Sequence, residues 1–422
     1  MKEDFLHYIW KFLKFNTSDL KCTEGNVISI LHNGEYLSSS GPDFFNAKII
    51  IGNQLWVGNV EIHLKSSDWY AHQHHQDENY QNVILHVVWE HDVDIVNRFG
   101  LPIPTLELKH IVDPKLLKKY NTSFHHPALP CKENLVQVSK DKIHWWQLQL
   151  MINKLNEKSA LIENKVSAAN NYWEEVFTQQ LFKNFGTLVN GMVFEEVINQ
   201  TTYQVFNKLR ANTISLEALL FGQAGMLPKD PIDNYTMELC REYKFLKNKY
   251  QLEPISSRVE FFKLRPDNFP TIRMSQFCHL ISNNQSLFFE LMSTNSLKDF
   301  YIKLSAEVSE YWKSHYVFDK LSTKMKNKSL SKSFIELLLI NTVLPFKYAY
   351  HKHKEEVVDE VLAIYEEMQF EMNAIVNIYP KEYFFKQNAL HSQSLVYLNK
   401  VYCRQKKCMS CEIGVQIVKN NL

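Results

Sequence analysis

Side chains able to do chemistry concentrate in two short segments near the N-terminus, Gly41-Pro42-Asp43-Phe44 and Gly58-Asn59-Val60-Glu61-Ile62-His63-Leu64-Lys65. The second alternates apolar and polar residues, the period of an extended strand. Val60, Ile62 and Leu64 therefore share one face, while Glu61, His63 and Lys65 share the other. A carboxylate, an imidazole and an ammonium in a row suit a phosphate or a hard cation. Asp43, on a neighbouring strand, adds a second carboxylate. Asp43 and Glu61 together could hold Mg²⁺ or Mn²⁺, with His63 or Lys65 orienting or deprotonating a bound water. The plain alternative is a structural strand with a solvated polar face.

Just beyond this strand, Ser67-Asp68-Trp69 is followed by His72, His74, His75, Asp77 and Tyr80. Helical spacing predicts Asp68, His72 and His75 on one face, a donor set that suits a transition metal. A solvated loop, or a supporting role to the carboxylate pair, are the other readings. His86, inside the apolar run VILHVVW, reads as a hydrogen-bonded core residue.

Three of the seven cysteines, Cys403, Cys408 and Cys411, form C-x4-C-x2-C with Arg404, Lys406 and Lys407 between them. Thiolates at this spacing can wrap one Zn²⁺ or supply three corners of an iron–sulfur cluster, and either needs a fourth ligand. Cys131 is the preferred candidate, ahead of Cys22, Cys278 or a histidine. In the central region, Arg265 and Arg273 flank a Pro-fixed loop that opens a helix. They could contact phosphate or satisfy buried carbonyls.

The elements that must position these groups follow from periodicity. A stripe of Phe5, Tyr8, Ile9, Phe12 and Leu13 predicts an amphipathic helix over 3–15. Strands at 27–31, 44–51 and 55–64, joined through Asn33-Gly34 and Gly52-Asn53, read as an antiparallel meander. A probable helix in 66–81 leads to a strand at 83–89, and a short strand follows at 105–108. Prolines and polar residues at 111–140 mark a linker. From Lys142 the pattern is almost wholly helical, with helices expected at 142–165, 171–185, 214–222, 233–248 and 354–374 among others. The expected organisation is thus a core at 1–110, a linker at 111–140, a helical domain at 141–400 and a metal-binding tail at 401–422.

This element order, with Pro-Asp at the start of one strand and an acid-X-basic pattern in the next, resembles the PD-(D/E)XK nuclease superfamily. The resemblance implies a restriction-endonuclease-like α/β core with a mixed sheet, and Asp43 and Glu61 as metal ligands. The superfamily's lysine two residues after the acid is His63 here, with Lys65 two further on. The cysteine arrangement is similar to that of nucleases and glycosylases carrying a C-terminal cysteine cluster. Over nearly its whole length the chain also resembles an uncharacterised bacterial family, the domain of unknown function 2851. That likeness rests on SGPDFFNAKI, GNVEIHLKSSDWYAHQHHQDENYQNVILHVVWEHD, EALLFGQAG, RPDNFPTIRMSQF and YCRQKKCMSC.

Composition narrows the classes. The 422 residues exceed one ordinary core, and 45% hydrophobic with 13% aromatic residues describes a folded chain. The balance of 47 Lys plus Arg against 46 Asp plus Glu leaves no global field to steer a polyanion, so nucleic acid would need a local patch. No signal peptide or membrane span is recognised, and a cytoplasmic α+β protein is expected. The function expected is metal-dependent hydrolysis of phosphodiester bonds in DNA or RNA. The rivals are a non-catalytic nucleic-acid-binding or scaffold protein on the same fold, and a different metal hydrolase built on the histidine stretch.

Overall fold

Two glycine turns organise the N-terminal sheet. In the computed structural model, which describes all residues except 37–40, 125, 127, 353–356, 382–386 and 421–422, Gly34 and Gly52 adopt φ of 90° and 62°. This left-handed conformation penalises any side chain, which is why the chain reverses there. The strands are β1 (Ile28–His32), β2 (Glu35–Tyr36), β3 (Phe44–Ile51), β4 (Gln54–Lys65), β5 (Val83–Glu90) and β6 (Thr105–Glu107). They form one mixed sheet in the order β1-β3-β4-β5-β6, with the short β2 also paired to β3. Pairing is antiparallel from β1 through β4 and parallel from β4 through β6. The expected meander is therefore present, with β2 as an addition.

Helix α1 (Glu3–Lys11) buries Phe5, Leu6, Tyr8, Ile9 and Trp10. These join Phe44, Ile49, Val60, Ile62, Leu85 and Val87 in one core. The helix stops short of the expected 3–15 because the backbone turns left-handed at Leu13, φ 46°. A side chain on Gly58 would meet Ile84 Cγ2 at 2.4 Å and Asn82 O at 2.6 Å. Its absence lets β5 close on β4, in a register that sets Glu61 opposite His86. Residues 58–63 of β4 are buried on both faces, so the strand's polar side is covered and not solvated.

Between β4 and β5 the expected helix shrinks to one turn, α2 (Asp68–Ala71), followed by turns and a 3₁₀ segment at Glu78–Tyr80. Helix α3 (Pro114–Ser123) starts on an Asp113 cap that accepts the Lys115 N–H. Helix α4 (Lys140–Ala168) follows.

Contacts group the chain into two units, one of residues 1–150, 372–386 and 391–422, the other of 151–371 and 387–390. The expected linker and the cysteine-bearing tail thus belong to the unit that holds the sheet. The second unit is helical, with one small ribbon of His315–Val317 and Lys320–Leu321. Of its expected helix at 354–374, residues 354–356 lie outside the described residues, Val357–Glu367 is helical, and 368–374 is not, so the helix ends seven residues early. Phenylalanines pack together in its core, with Phe182 stacked on Phe194 at 4.7 Å and tilted against Phe277 at 4.6 Å between ring centroids. No helix among the described residues is long and apolar enough to cross a membrane.

The EALLFGQAG segment forms the C-terminal part of the helix Thr213–Gln223 and the turn after it, and its Gly222 receives the ring of Tyr243 from the helix Asn234–Tyr250. A Cβ there would lie 2.1 Å from the ring, and the ring is held by a hydrogen bond from Tyr243 Oη to Gln223 Oε1. Gly222→Ala is accordingly expected to lower the unfolding free energy of this unit by about 1–3 kcal/mol in a urea titration.

Candidate metal centre on the N-terminal sheet

Asp43 and Glu61 meet where β3 begins beside β4. Gly41 at φ 110° turns the chain into Pro42, and a bulge between Phe44 and Ala47 lets Asp43 reach across. The two residues then interlock. The Asp43 N–H donates to Glu61 Oε2 at 3.1 Å, and the Ile62 N–H donates to Asp43 Oδ2 at 3.0 Å. One oxygen of each carboxylate is thus fixed by a backbone donor, leaving the other to a ligand.

Imidazoles close on the pair from three sides. His63 Nε2 and His74 Nε2 lie 3.6 and 3.5 Å from Glu61 Oε1. His7, from α1, brings Nε2 to 3.3 Å from Asp43 Oδ2, yet this buried nitrogen has no hydrogen-bond partner. His63 Nδ1 lies 2.8 Å from His86 Nε2, and its Nε2 lies 3.1 Å from His72 Nδ1. A ring nitrogen from each of His63, His72 and His74 falls within 4.8 Å of the other two. Such a trio can hold a cation, and His86 orients the His63 ring as an outer partner commonly does for a metal-binding histidine.

Burial sets the charge states. It pushes His63 down to about 2, assisted by the neighbouring His86 and His74. Burial likewise takes His74 to about 4 and His86 to about 3. These rings are neutral at neutral pH, so each carries one lone-pair nitrogen of the kind that ligates a metal. Burial, then the charge of Asp43, holds the Glu61 carboxyl well above the usual carboxylate range, and Glu3 adds to the effect. Glu3 itself is raised by burial, and it feels His7, Asp43 and His72. The donor set suits a cation: several carboxylates and neutral imidazoles face one another with no positive charge among Asp43, Glu61, His63 and His74.

Of the residues the sequence singled out, Asp43, Glu61, His63 and His72 come together. Lys65 does not join them. It is exposed at the end of β4, pairs in register with Glu90, and acts on Glu90 and Asp92. His75 also stays outside, against the Tyr70 ring, and His74 takes the inner place. The reason is local. The helix ends at Ala71 and Gln73 turns left-handed at φ 62°, so i, i+3 spacing does not continue.

Sequence reasoning missed Glu3 and His7, and it named His74 in the histidine stretch but left it off the face of Asp68, His72 and His75. Glu3 and His7 are four apart on α1, a polar pair opposite its apolar stripe, and that spacing was the available signal. A groove of about 560 Å³ runs past Glu3 and His7 and is also lined by Lys2, Leu64 and Lys407.

Arg273, in the helical unit, lies with its guanidinium 3.5 Å from the Phe334 ring and donates to Gln276 Oε1 and Asn268 Oδ1 at 2.8 and 2.6 Å. Arg265 is exposed beside it on the rim of one pocket. Cys131, Cys403 and Cys411 line a single cavity of the first unit.

Fold and site together define an α+β chain with a mixed N-terminal sheet carrying a carboxylate–histidine cluster, followed by a helical part. The chain belongs to the family described as protein of unknown function (DUF2851), which matches residues 3–374. No curated protein and no solved structure matches it.

Proposed function

We propose that this is a metal-dependent nuclease, hydrolysing phosphodiester bonds in DNA or RNA on a restriction-endonuclease-like core of the PD-(D/E)XK type. The observation that carries the reading is the interlocked Asp43–Glu61 pair at the head of a sheet built as helix, antiparallel strands, crossover and parallel strand. Asp43 and Glu61 would hold the cation, with His63 and His74 on its other side. A cation bound there would supply a water of lowered pKa and neutralise a phosphate oxygen. Mn²⁺ suits this mixed donor set better than Mg²⁺, because imidazole favours the softer ion. Lys2 and Lys407 line the adjoining groove and would meet the phosphates of a strand laid along it. Arg265 would offer a further phosphate contact, while Arg273 would hold its loop.

The test is cleavage of labelled single-stranded and duplex DNA and RNA with Mg²⁺ or Mn²⁺. Cleavage that needs the cation supports the reading. Binding without cleavage, indifferent to the cation, would favour a nucleic-acid-binding protein that keeps this fold without activity.

The close approach of His63, His72 and His74 favours a second reading, a transition-metal hydrolase of another class. It predicts that Zn²⁺ is retained through dialysis, and that His72→Ala and His74→Ala each weaken retention at least tenfold, measured by competition with a chromogenic chelator. Retention unaffected by both substitutions would remove it.

A further inference from the structure

The strongest unassigned feature lies elsewhere in the same unit, where the chain's end returns to the stretch around Cys131. Cys403 closes a π-helical turn at Asn399–Cys403, Cys408 opens a 3₁₀ turn, and Cys411 sits at the N-cap of the helix Glu412–Lys419. Cys131, at the start of the 3₁₀ segment Lys132–Gln137, lines the same cavity as Cys403 and Cys411. Cys131 also feels the charge of all three other sulfurs, Cys408 included. None of the four is in a disulfide.

The surroundings are those of a ligated sulfur group. The N–H groups of Ile413 and Gly414 point at the Cys411 sulfur, and the Tyr379 hydroxyl lies 3.5 Å from that of Cys403. Gly414 has no room for a side chain, since a Cβ there would fall 2.0 Å from Cys408 O, so the loop between Cys408 and Cys411 is wound tightly onto the helix. Independently of the cysteines, Gln147 is 1% exposed, lines the cavity, and leaves both its amide oxygen and its amide nitrogen without a partner. A buried amide facing an otherwise apolar cavity is costly unless something polar occupies that cavity.

Spacing decides between the occupants. Tetrahedral zinc at its usual bond length brings thiolate sulfurs to about 3.8 Å from one another. Among the described residues, no three of these sulfurs lie within 4.8 Å of one another. A cubane cluster binds each thiolate to a separate iron at its own corner and so spreads the four sulfurs apart.

We infer that Cys131, Cys403, Cys408 and Cys411 bind a [4Fe–4S] cluster that staples the chain's C-terminal segment to the stretch around Cys131. An assembled cluster is taken from a cluster-donor protein by ligand exchange: the four donor–iron bonds break as four Fe–Sγ bonds form, the four thiol protons pass to the released donor ligands or to solvent, and no iron changes oxidation state. A hydrogen bond from the Met409 N–H to Asp4 Oδ2 ties the staple to α1, the helix that carries His7.

The experiment is analysis of protein purified without oxygen. Iron, acid-labile sulfide and zinc are counted per chain, and the visible spectrum is recorded, for wild type, Cys131→Ser, Cys408→Ser and the control Cys240→Ser. About four iron and four sulfide per chain are expected, with broad sulfide-to-iron absorption, in wild type and Cys240→Ser. At least a fourfold loss is expected in the other two. Zinc without sulfide in the wild type, no metal in it, or full iron content in Cys131→Ser would each overturn the assignment. The wild-type count needs no variant to fold, and it is read without any cleavage assay, so it stands apart from the proposed nuclease activity.

Discussion

On the proposed nuclease reading, Glu61→Gln is expected to lower cation-dependent cleavage by on the order of 100-fold or more while leaving the unfolding temperature of the cation-free protein almost unchanged. Loss of a supporting partner around a metal commonly costs 10–100-fold in affinity or activity, and loss of a carboxylate that itself binds the ion should cost at least as much. Glutamine keeps the volume at this 5% exposed position, and its amide oxygen can still accept the Asp43 N–H. The fold therefore loses little. What disappears is the negative charge that would balance the cation against the neutral rings of His63 and His74. Cleavage rate, Mn²⁺ affinity by titration calorimetry and thermal unfolding should be measured on the same preparation. Wild-type cleavage in the variant would remove Glu61 from the site. Lost cleavage accompanied by a large fall in unfolding temperature would show a structural carboxylate instead.

The sheet was legible because its signals are local. Asn33-Gly34 and Gly52-Asn53 mark reversals, and the runs between them have the length and β-branched content of strands. The strand at Val83–Glu90 was legible as an apolar run, but its parallel pairing with the preceding strand was not read from the run itself. The site was only half legible. Alternation put Glu61 and His63 on one face of β4, and Pro42-Asp43 announced a partner carboxylate. Alternation also put Lys65 on that face, but a face is a direction, and the site covers only part of the strand's length. His74 depended on where a helix ends, and a non-glycine residue at φ 62°, Gln73, carries almost no sequence signal. Glu3 and His7 were hidden by a strong apolar stripe on the same helix, which accounts for the helix without its polar side. The approach of Cys131 to the chain's end is a tertiary event that spacing can suggest and cannot place. In the helical unit, Glu217 sat unnoticed inside the EALLFGQAG segment.

That buried glutamate makes stability depend on pH in a direction opposite to that of a salt-bridged carboxylate. Glu217 is 0% exposed, and burial raises its pKa to about 7, against hydrogen bonds that pull it down. Tyr235 Oη donates to Glu217 Oε2 at 2.6 Å and itself accepts from Trp312 Nε1 at 3.1 Å. In the unfolded chain the group titrates near its ordinary value of 4.5. Between these two values the folded state holds a proton that the unfolded state has released. Raising the pH through this window therefore favours unfolding, and above about 7 both states are ionised and the cost is constant. The full loss is about 3–4 kcal/mol. Glu217→Gln has no proton to lose. Urea unfolding of wild type and Glu217→Gln from pH 5 to 8, followed on the transition of the helical unit, should show the variant gaining on wild type as pH rises, with most of the change complete by pH 7 to 8. Other titrating groups contribute equally to both proteins and cancel in the difference. Parallel curves would mean that Glu217 ionises at an ordinary pKa despite its burial, and that water or another donor reaches the carboxylate.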